Sequence, residues 1–185
     1  MADKILQEKK KIRNQTKLVR GGLYRSRHGE TSEAIFMNSG YVFENAEQAE
    51  ARFAGEEAGY LYTRYGNPTV TMFEERMALN EGSETCFATA TGMSAVFASL
   101  MCQLKSGDHV LSSRALFGSC FHIIEQILPR YGIATDLIDG TDNNQWEQKI
   151  NKNTKCVFLE TPSNPMMEII DIQHVSNIAH QYGAL

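Results

Sequence analysis

At 185 residues, with 42% hydrophobic and 22% charged residues, the chain has the composition of one globular domain or slightly more, which excludes wholesale disorder and fibrous repeats. The net charge of −4 is unevenly spread: residues 1–27 hold nine of the eighteen basic residues against Asp3 and Glu8, giving +7, and residues 28–185 carry −11. The acidic body repels nucleic-acid phosphates, so the basic stretch reads as an arm that lies on an acidic neighbour, such as another subunit, and not as a nucleic-acid tail.

No apolar run approaches the ~18 residues of a membrane span, and the lysine-rich stretch Met1 to Gln15 has no apolar segment behind it, so neither a membrane partner nor a secretory signal is expected. Cys86, Cys102, Cys120 and Cys156 stand 16 to 36 residues apart without a CxxC pair. They read as small buried hydrophobes of a reducing, cytoplasmic setting, with neither a disulfide framework nor a metal site.

In chain order, the first ~60 residues read as an extended N-terminal arm with short turns: Thr31 to Phe53 has no sustained period, and Gly55, Gly59 and Gly66 punctuate the stretch after it. Asn67 as N-cap and Pro68 at the first helical position predict a helix with Val70, Phe73 and Met77 on one face, stopped by Gly82. A short β-type segment, Glu84 to Ala88, precedes a helix with Met93, Val96, Phe97, Leu100, Met101 and Leu104 at helical spacing. Then come strand His109–Leu111, helix Phe121–Leu128 ended by Pro129, strand Ile133–Ile138, a short helix near Gln145–Ile150, strand Cys156–Glu160, and a helix carrying Val175, Ile178, Ala179 and Tyr182. Strands alternating with helices predict an α/β fold with a mostly parallel sheet covered on both faces. The sequence ends on a helix where another strand is expected, as if cut within the domain.

Parallel α/β sheets bind ligands at the carboxyl ends of their strands, and neither GxGxxG nor a Walker loop occurs. Four loops stand out. Thr89 to Ser94 opens the strongest helix with small residues, reading either as an anion seat at free backbone amides or as an ordinary N-cap turn. In Tyr62 to Thr69, Arg64 either grips a phosphate with Tyr62 or is a solvated arginine. Phe117, at a strand end, is either a flat platform or core. Glu160 to Pro165, with Asn164 between two prolines, is either a ligand-orienting loop or a structural turn.

Taken together, YTRYGNPT (62–69), ATATGMSAV (88–96), FGS (117–119) and ETPSNP (160–165) resemble the cystathionine γ-synthase family of pyridoxal-phosphate enzymes of Cys and Met metabolism. The arm SGYVFENAEQAEARFAGEEAGYLYTRYGNPTV (39–70) is most similar to the family's O-succinylhomoserine sulfhydrylase branch. The resemblance implies fold type I of the pyridoxal-phosphate-dependent transferases, with residues 1–60 an arm contacting a neighbouring subunit and residues 61–185 an incomplete cofactor-binding large domain. It implies pyridoxal 5′-phosphate as cofactor. Tyr62 and Arg64 would grip the phosphate of a neighbouring subunit, and the amides of Gly92 and Met93 would hold it in cis. Phe117 would stack on the pyridine ring, Asn164 would lie near the phenolic oxygen, and Glu160 would sit at the edge.

The implied reaction makes homocysteine from an O-acylhomoserine, here O-succinylhomoserine, and sulfide, in a homotetramer built as a dimer of dimers. Two departures matter. Phe117 stands where most of the family has Tyr, which keeps the stack but removes a proton carrier and disfavours a lyase. The Schiff-base lysine and the aspartate facing the pyridinium nitrogen have no counterpart, since none of Lys4, Lys9, Lys10, Lys11, Lys17, Lys105, Lys149, Lys152 and Lys155 sits in a Ser-x-Thr-Lys context. The chain thus corresponds to about half of a family subunit and is expected to be inactive alone; a non-catalytic remnant and a cystathionine γ-synthase or lyase are the alternatives.

Overall fold

Residues 13–185 are described by the computed structural model, and the chain divides between Ala88 and Thr89 into two units. The lysine-rich stretch 1–12 of the expected docking arm lies outside the described residues. In the first unit, α1 spans Asn14–Arg20, α2 Ala46–Phe53 and α3 Pro68–Glu81. The start and stop of α3 follow the sequence rules: the Asn67 side chain accepts the Thr69 N–H at 2.9 Å, Pro68 takes the first turn, and Gly82 ends the helix with φ of 70°.

The buried residues of α3 are Pro68, Met72 and Ala78, whereas Val70 and Phe73, expected on the inner face, are exposed. The cause is the cover over the helix. α1 packs against it, and the chain at Gly22 runs so close that a Cβ there would stand 2.8 Å from Met72 O and Glu75 Cβ. Arg76 locks this face by donating Nε–H to Gly21 O at 2.9 Å and pairing with Glu33, whose carboxyl it holds below its usual range.

Two further expectations fail in this unit. The segment expected to be extended contains α2, held by a reciprocal cap in place of an apolar stripe: Asn45 Oδ1 accepts the Gln48 N–H at 2.8 Å and Gln48 Oε1 accepts the Glu44 N–H at 2.9 Å. The expected strand Glu84 to Ala88 is not one, because the Ala88 N–H goes to Glu74 Oε1 at 2.7 Å and the Phe87 side chain is exposed.

The second unit is the expected α/β arrangement. Helix α4 (Gly92–Met101) leads into β1 (His109–Ser113), α5 (Gly118–His122), β2 (Ala134–Ile138), α6 (Asn143–Lys149), β3 (Thr154–Phe158) and α7 (Ile172–Gln181). The three strands are parallel in the order β2-β1-β3, and central β1 is buried throughout. Alternation along β1 supplies both faces. Val110 packs with Leu100, Leu104, Ile124, Leu128 and Ile133, and Leu111 with Ile138, Trp146, Ile150, Val175 and Ile178. Leu185 continues the ladder on the far side of β3, donating to Lys155 O at 3.0 Å and accepting from Val157 N–H at 2.7 Å.

Boundaries differ where turns intervene. The helix expected to stop at Pro129 starts earlier, at Gly118, passes through a π turn (Ile123–Ile127) and a 3-10 turn (Leu128–Tyr131), and ends at Gly132 with φ of 74°. Pro129 opens that last turn, where its missing N–H breaks no ladder. β3 ends at Phe158, so Glu160 lies in the loop after the strand. Cys120 and Cys156 are buried as expected, and burial pushes the Cys156 thiol up to about 11; Cys102 is exposed, contrary to expectation. No helix among the described residues is long and apolar enough to cross a membrane.

Toward the amino ends of the strands, buried His109 on β1 is tied to β3 and faces β2. Its Nδ1 lies 2.8 Å from Thr154 Oγ1 on β3 and its Nε2 3.6 Å from Asp136 Oδ2 on β2. Burial holds the imidazole below the ordinary value of 6.5, with Asp136 opposing that shift and Lys149 adding to it. The folded state therefore binds this proton less readily than the unfolded one, so the contribution is fully present above the unfolded value and is lost as pH falls below it. The urea midpoint of the chain, followed by Trp146 fluorescence, is expected to fall between about pH 7.5 and about pH 5.5, and to fall less in His109→Asn. An equal fall in both proteins would remove His109 from this role.

Candidate active site

The carboxyl ends of β1 and β3 carry two of the four loops marked in the sequence, and one side chain joins them. Glu160, two residues past β3, accepts the Phe117 N–H on Oε2 at 2.8 Å and the Asn164 N–H on Oε1 at 2.8 Å. The Phe117 ring is about half exposed, at 46%, although its backbone is tethered, so it presents an aromatic surface rather than filling the core. The preceding turn is fixed by Ser113, whose Oγ accepts the Ala115 N–H at 3.2 Å, with Ala115 and Leu116 buried. Cys120, one turn into α5, has its thiol pushed up by burial and, secondarily, by the charge of Glu160, and so stays protonated at neutral pH.

The loop after Glu160 is ordered by side chains that do not stand out in the sequence. Ser163 is buried, donating its N–H to Glu168 O at 3.1 Å and accepting the Glu168 N–H on Oγ at 3.0 Å. Thr161 Oγ1 accepts the Ile170 N–H at 3.0 Å. Hydroxyl residues on either side of Pro162 were the available signal, since each offers the backbone a local partner.

Gly92 and Met93 stand at the start of α4. Thr91 caps the helix, its Oγ1 accepting the Ser94 N–H at 3.1 Å. Helix geometry leaves the Gly92 and Met93 amides without intrahelical acceptors, at the positive end of the helix dipole. A short connection joins the end of α4 to the amino end of β1, and the helix packs alongside the sheet, which directs its start toward the carboxyl-end rim. A Cβ at Gly92 would meet nothing within 4 Å, so packing within the chain does not call for glycine there.

Tyr62 and Arg64 belong to the first unit. The Arg64 guanidinium lies 5.3 Å from the Tyr62 ring centroid and 5.5 Å from that of Tyr65, a second aromatic partner missed in the sequence. The turn is held by Tyr62 O, which accepts the Tyr65 N–H at 2.8 Å, and by Asn67, buried and donating to Phe36 O at 2.9 Å. A shallow groove of about 550 Å³ runs between Phe36–Ser39 and Tyr62–Arg64.

The lysines of the second unit lie elsewhere. Lys105 precedes β1, Lys149 ends α6, Lys152 precedes β3 and Lys155 is the second residue of β3, all toward the amino ends of the strands.

Residues 15–185 match the family model of the Cys/Met metabolism PLP-dependent enzymes. An O-succinylhomoserine sulfhydrylase of Mycobacterium tuberculosis is 52% identical over 166 residues, covering 90% of this chain and 41% of its own length. One from Pseudomonas aeruginosa is 49% identical, covering 92% of this chain and 42% of its own length. An L-methionine gamma-lyase of Porphyromonas gingivalis is 40% identical over 90% of this chain and 42% of its own. Among solved structures, a Campylobacter jejuni protein assigned as an O-acetylhomoserine (thiol)-lyase superposes with a TM-score of 0.87 at 33% identity. It covers 94% of this chain and 43% of its own, and holds N′-pyridoxyl-lysine-5′-monophosphate. The chain spans about two fifths of the length of the curated relatives it matches.

Proposed function

The chain belongs to the family of PLP-dependent enzymes of Cys and Met metabolism, and from that premise we propose that it forms the phosphate-and-ring half of the cofactor site of an O-succinylhomoserine sulfhydrylase. The observation that carries this reading is the tie through Glu160 between an exposed aromatic ring, Phe117, and Asn164 at the carboxyl ends of two adjacent parallel strands. Identity of 52% and 49% to sulfhydrylases, against 40% to a lyase, supports the sulfhydrylase branch.

The residues present fit pyridoxal phosphate. The Gly92 and Met93 amides, at a helix start with no Cβ in the way, suit a dianionic phosphate. The Phe117 face suits a pyridine ring, and the Asn164 side chain suits its phenolic oxygen. Tyr62 and Arg64 supply a hydroxyl and a bidentate cation to the phosphate of a neighbouring subunit's site, in a homotetramer.

When bound, pyridoxal phosphate withdraws electrons from the amino-acid substrate so that the bond from its γ-carbon to succinate can break and a bond to sulfide can form. Phe117 would pack against the face of the ring and, having no hydroxyl, would carry no proton. The lysine that this chemistry requires comes from outside residues 1–185.

Expressed from its complete open reading frame, the protein is expected to make homocysteine from O-succinylhomoserine and sulfide faster than from O-acetylhomoserine and sulfide, and faster than it makes cystathionine from O-succinylhomoserine and cysteine. No homocysteine from either acylhomoserine with sulfide would defeat the assignment. In the same protein, Phe117→Ala is expected to weaken pyridoxal-phosphate binding by about 1–3 kcal/mol, the worth of a buried aromatic contact. Phe117→Tyr is expected to bind almost normally. A fluorescence titration of cofactor into the apoprotein measures both.

A further inference from the structure

Resting on that reading of the site, we propose that Glu160 is its positioning residue: it sets the Phe117 ring and the Asn164 amide in one register by holding their backbone N–H groups, and touches no reacting atom itself. Each loop is separately rigid. Ser113 fixes the turn before Phe117, and Ser163 and Thr161 fix the turn around Asn164. Two rigid loops on different strands still need a tie that sets one against the other, and a ring-stacking group and a ring-oxygen partner work only if their spacing is held.

The Glu160 carboxylate supplies that tie, one oxygen to each loop at 2.8 Å. A carboxylate is the side chain that can do this, because both oxygens accept. Glutamine offers one acceptor and turns a donor toward the other N–H, and aspartate is one methylene short of spanning the pair. With both oxygens engaged by backbone, Glu160 acts through Phe117 and Asn164.

The test uses the protein from its complete reading frame. In the cofactor-free state, hydrogen exchange should be slowed alike in residues 114–118 and 161–166. In Glu160→Gln, both segments should exchange faster, and pyridoxal-phosphate affinity should fall by about tenfold or more, the worth of one hydrogen bond to a charged acceptor. The visible circular dichroism per bound cofactor, which reports how the ring is held and which a general loss of stability leaves unmoved, should fall in the order unchanged protein, Glu160→Asp, Glu160→Gln.

Unchanged dichroism and affinity in Glu160→Gln would overturn the proposal. If that variant does not fold, the unchanged protein decides: open-loop exchange in either segment overturns the proposal, and equal protection in both supports it. Failure of the functional reading looks different, as an unchanged protein that takes up no pyridoxal phosphate at all.

Discussion

Trp146→Ala is expected to destabilise the second unit by about 3–5 kcal/mol, the cost of emptying a large aromatic site in a packed core. Trp146 is 1% exposed and packs with Leu111, Ile138, Val175 and Ile178, so it fills the space between the sheet and the two helices on that face. Its Nε1–H donates to Gly140 O at 2.9 Å, and the variant leaves that carbonyl unpaired. Relaxation into the gap is limited, because a Cβ at Gly140 would already stand 2.6 Å from Ile170 Cδ1 and 2.9 Å from Ser113 Cβ. Against a typical total of about 5–15 kcal/mol, such a loss removes much of the domain's margin. Since β1 and β3 carry the Phe117 and Asn164 loops, cofactor binding should fall with it. Urea unfolding followed by far-ultraviolet circular dichroism measures the loss, and a cost under about 1 kcal/mol would show that this side chain does not hold the sheet.

Gly92→Ala should do the opposite, sparing the fold and damaging the site. The added methyl meets nothing within 4 Å, and φ at Gly92 lies outside the left-handed region, so the helix start accepts alanine without strain. Loss of glycine's freedom in the unfolded chain should raise stability by about 0.4–1 kcal/mol. The same methyl keeps a phosphate from closing on the Gly92 and Met93 amides. One charge-assisted hydrogen bond is worth about 1.5–3 kcal/mol, so pyridoxal-phosphate affinity in the protein from its complete reading frame should fall by about tenfold or more. A more stable variant that binds as tightly as before would place the phosphate elsewhere.

The second unit was largely legible because its signals are local and periodic. Met93, Val96, Phe97 and Leu100 announce α4, and the alternation of short apolar runs with helices announces a parallel sheet. The first unit was read less well because its order comes from caps and long-range covering. α2 has no buried residue and is marked by Asn45 and Gln48, a signal present in the sequence. The buried face of α3 depends on where α1 and Gly22 lie, which no pattern within α3 contains. The same distinction governs the candidate site. Phe117, Glu160 and Asn164 each stand in a recognisable loop, but the bond between Glu160 and Phe117 spans 43 residues and becomes visible only once β1 and β3 are paired.

Whether this chain supplies half of a site completed by residues beyond Leu185 is tested most directly by adding pyridoxal phosphate, reducing with borohydride and mapping the labelled lysine. The protein from its complete open reading frame should carry the label stoichiometrically on one lysine outside residues 1–185 and form homocysteine. The 185-residue chain alone should show scattered, substoichiometric labelling and no turnover, because the lysines of its second unit lie toward the amino ends of the strands, away from Phe117 and Asn164. Stoichiometric labelling of a single lysine within residues 1–185, with turnover of O-succinylhomoserine, would contradict it.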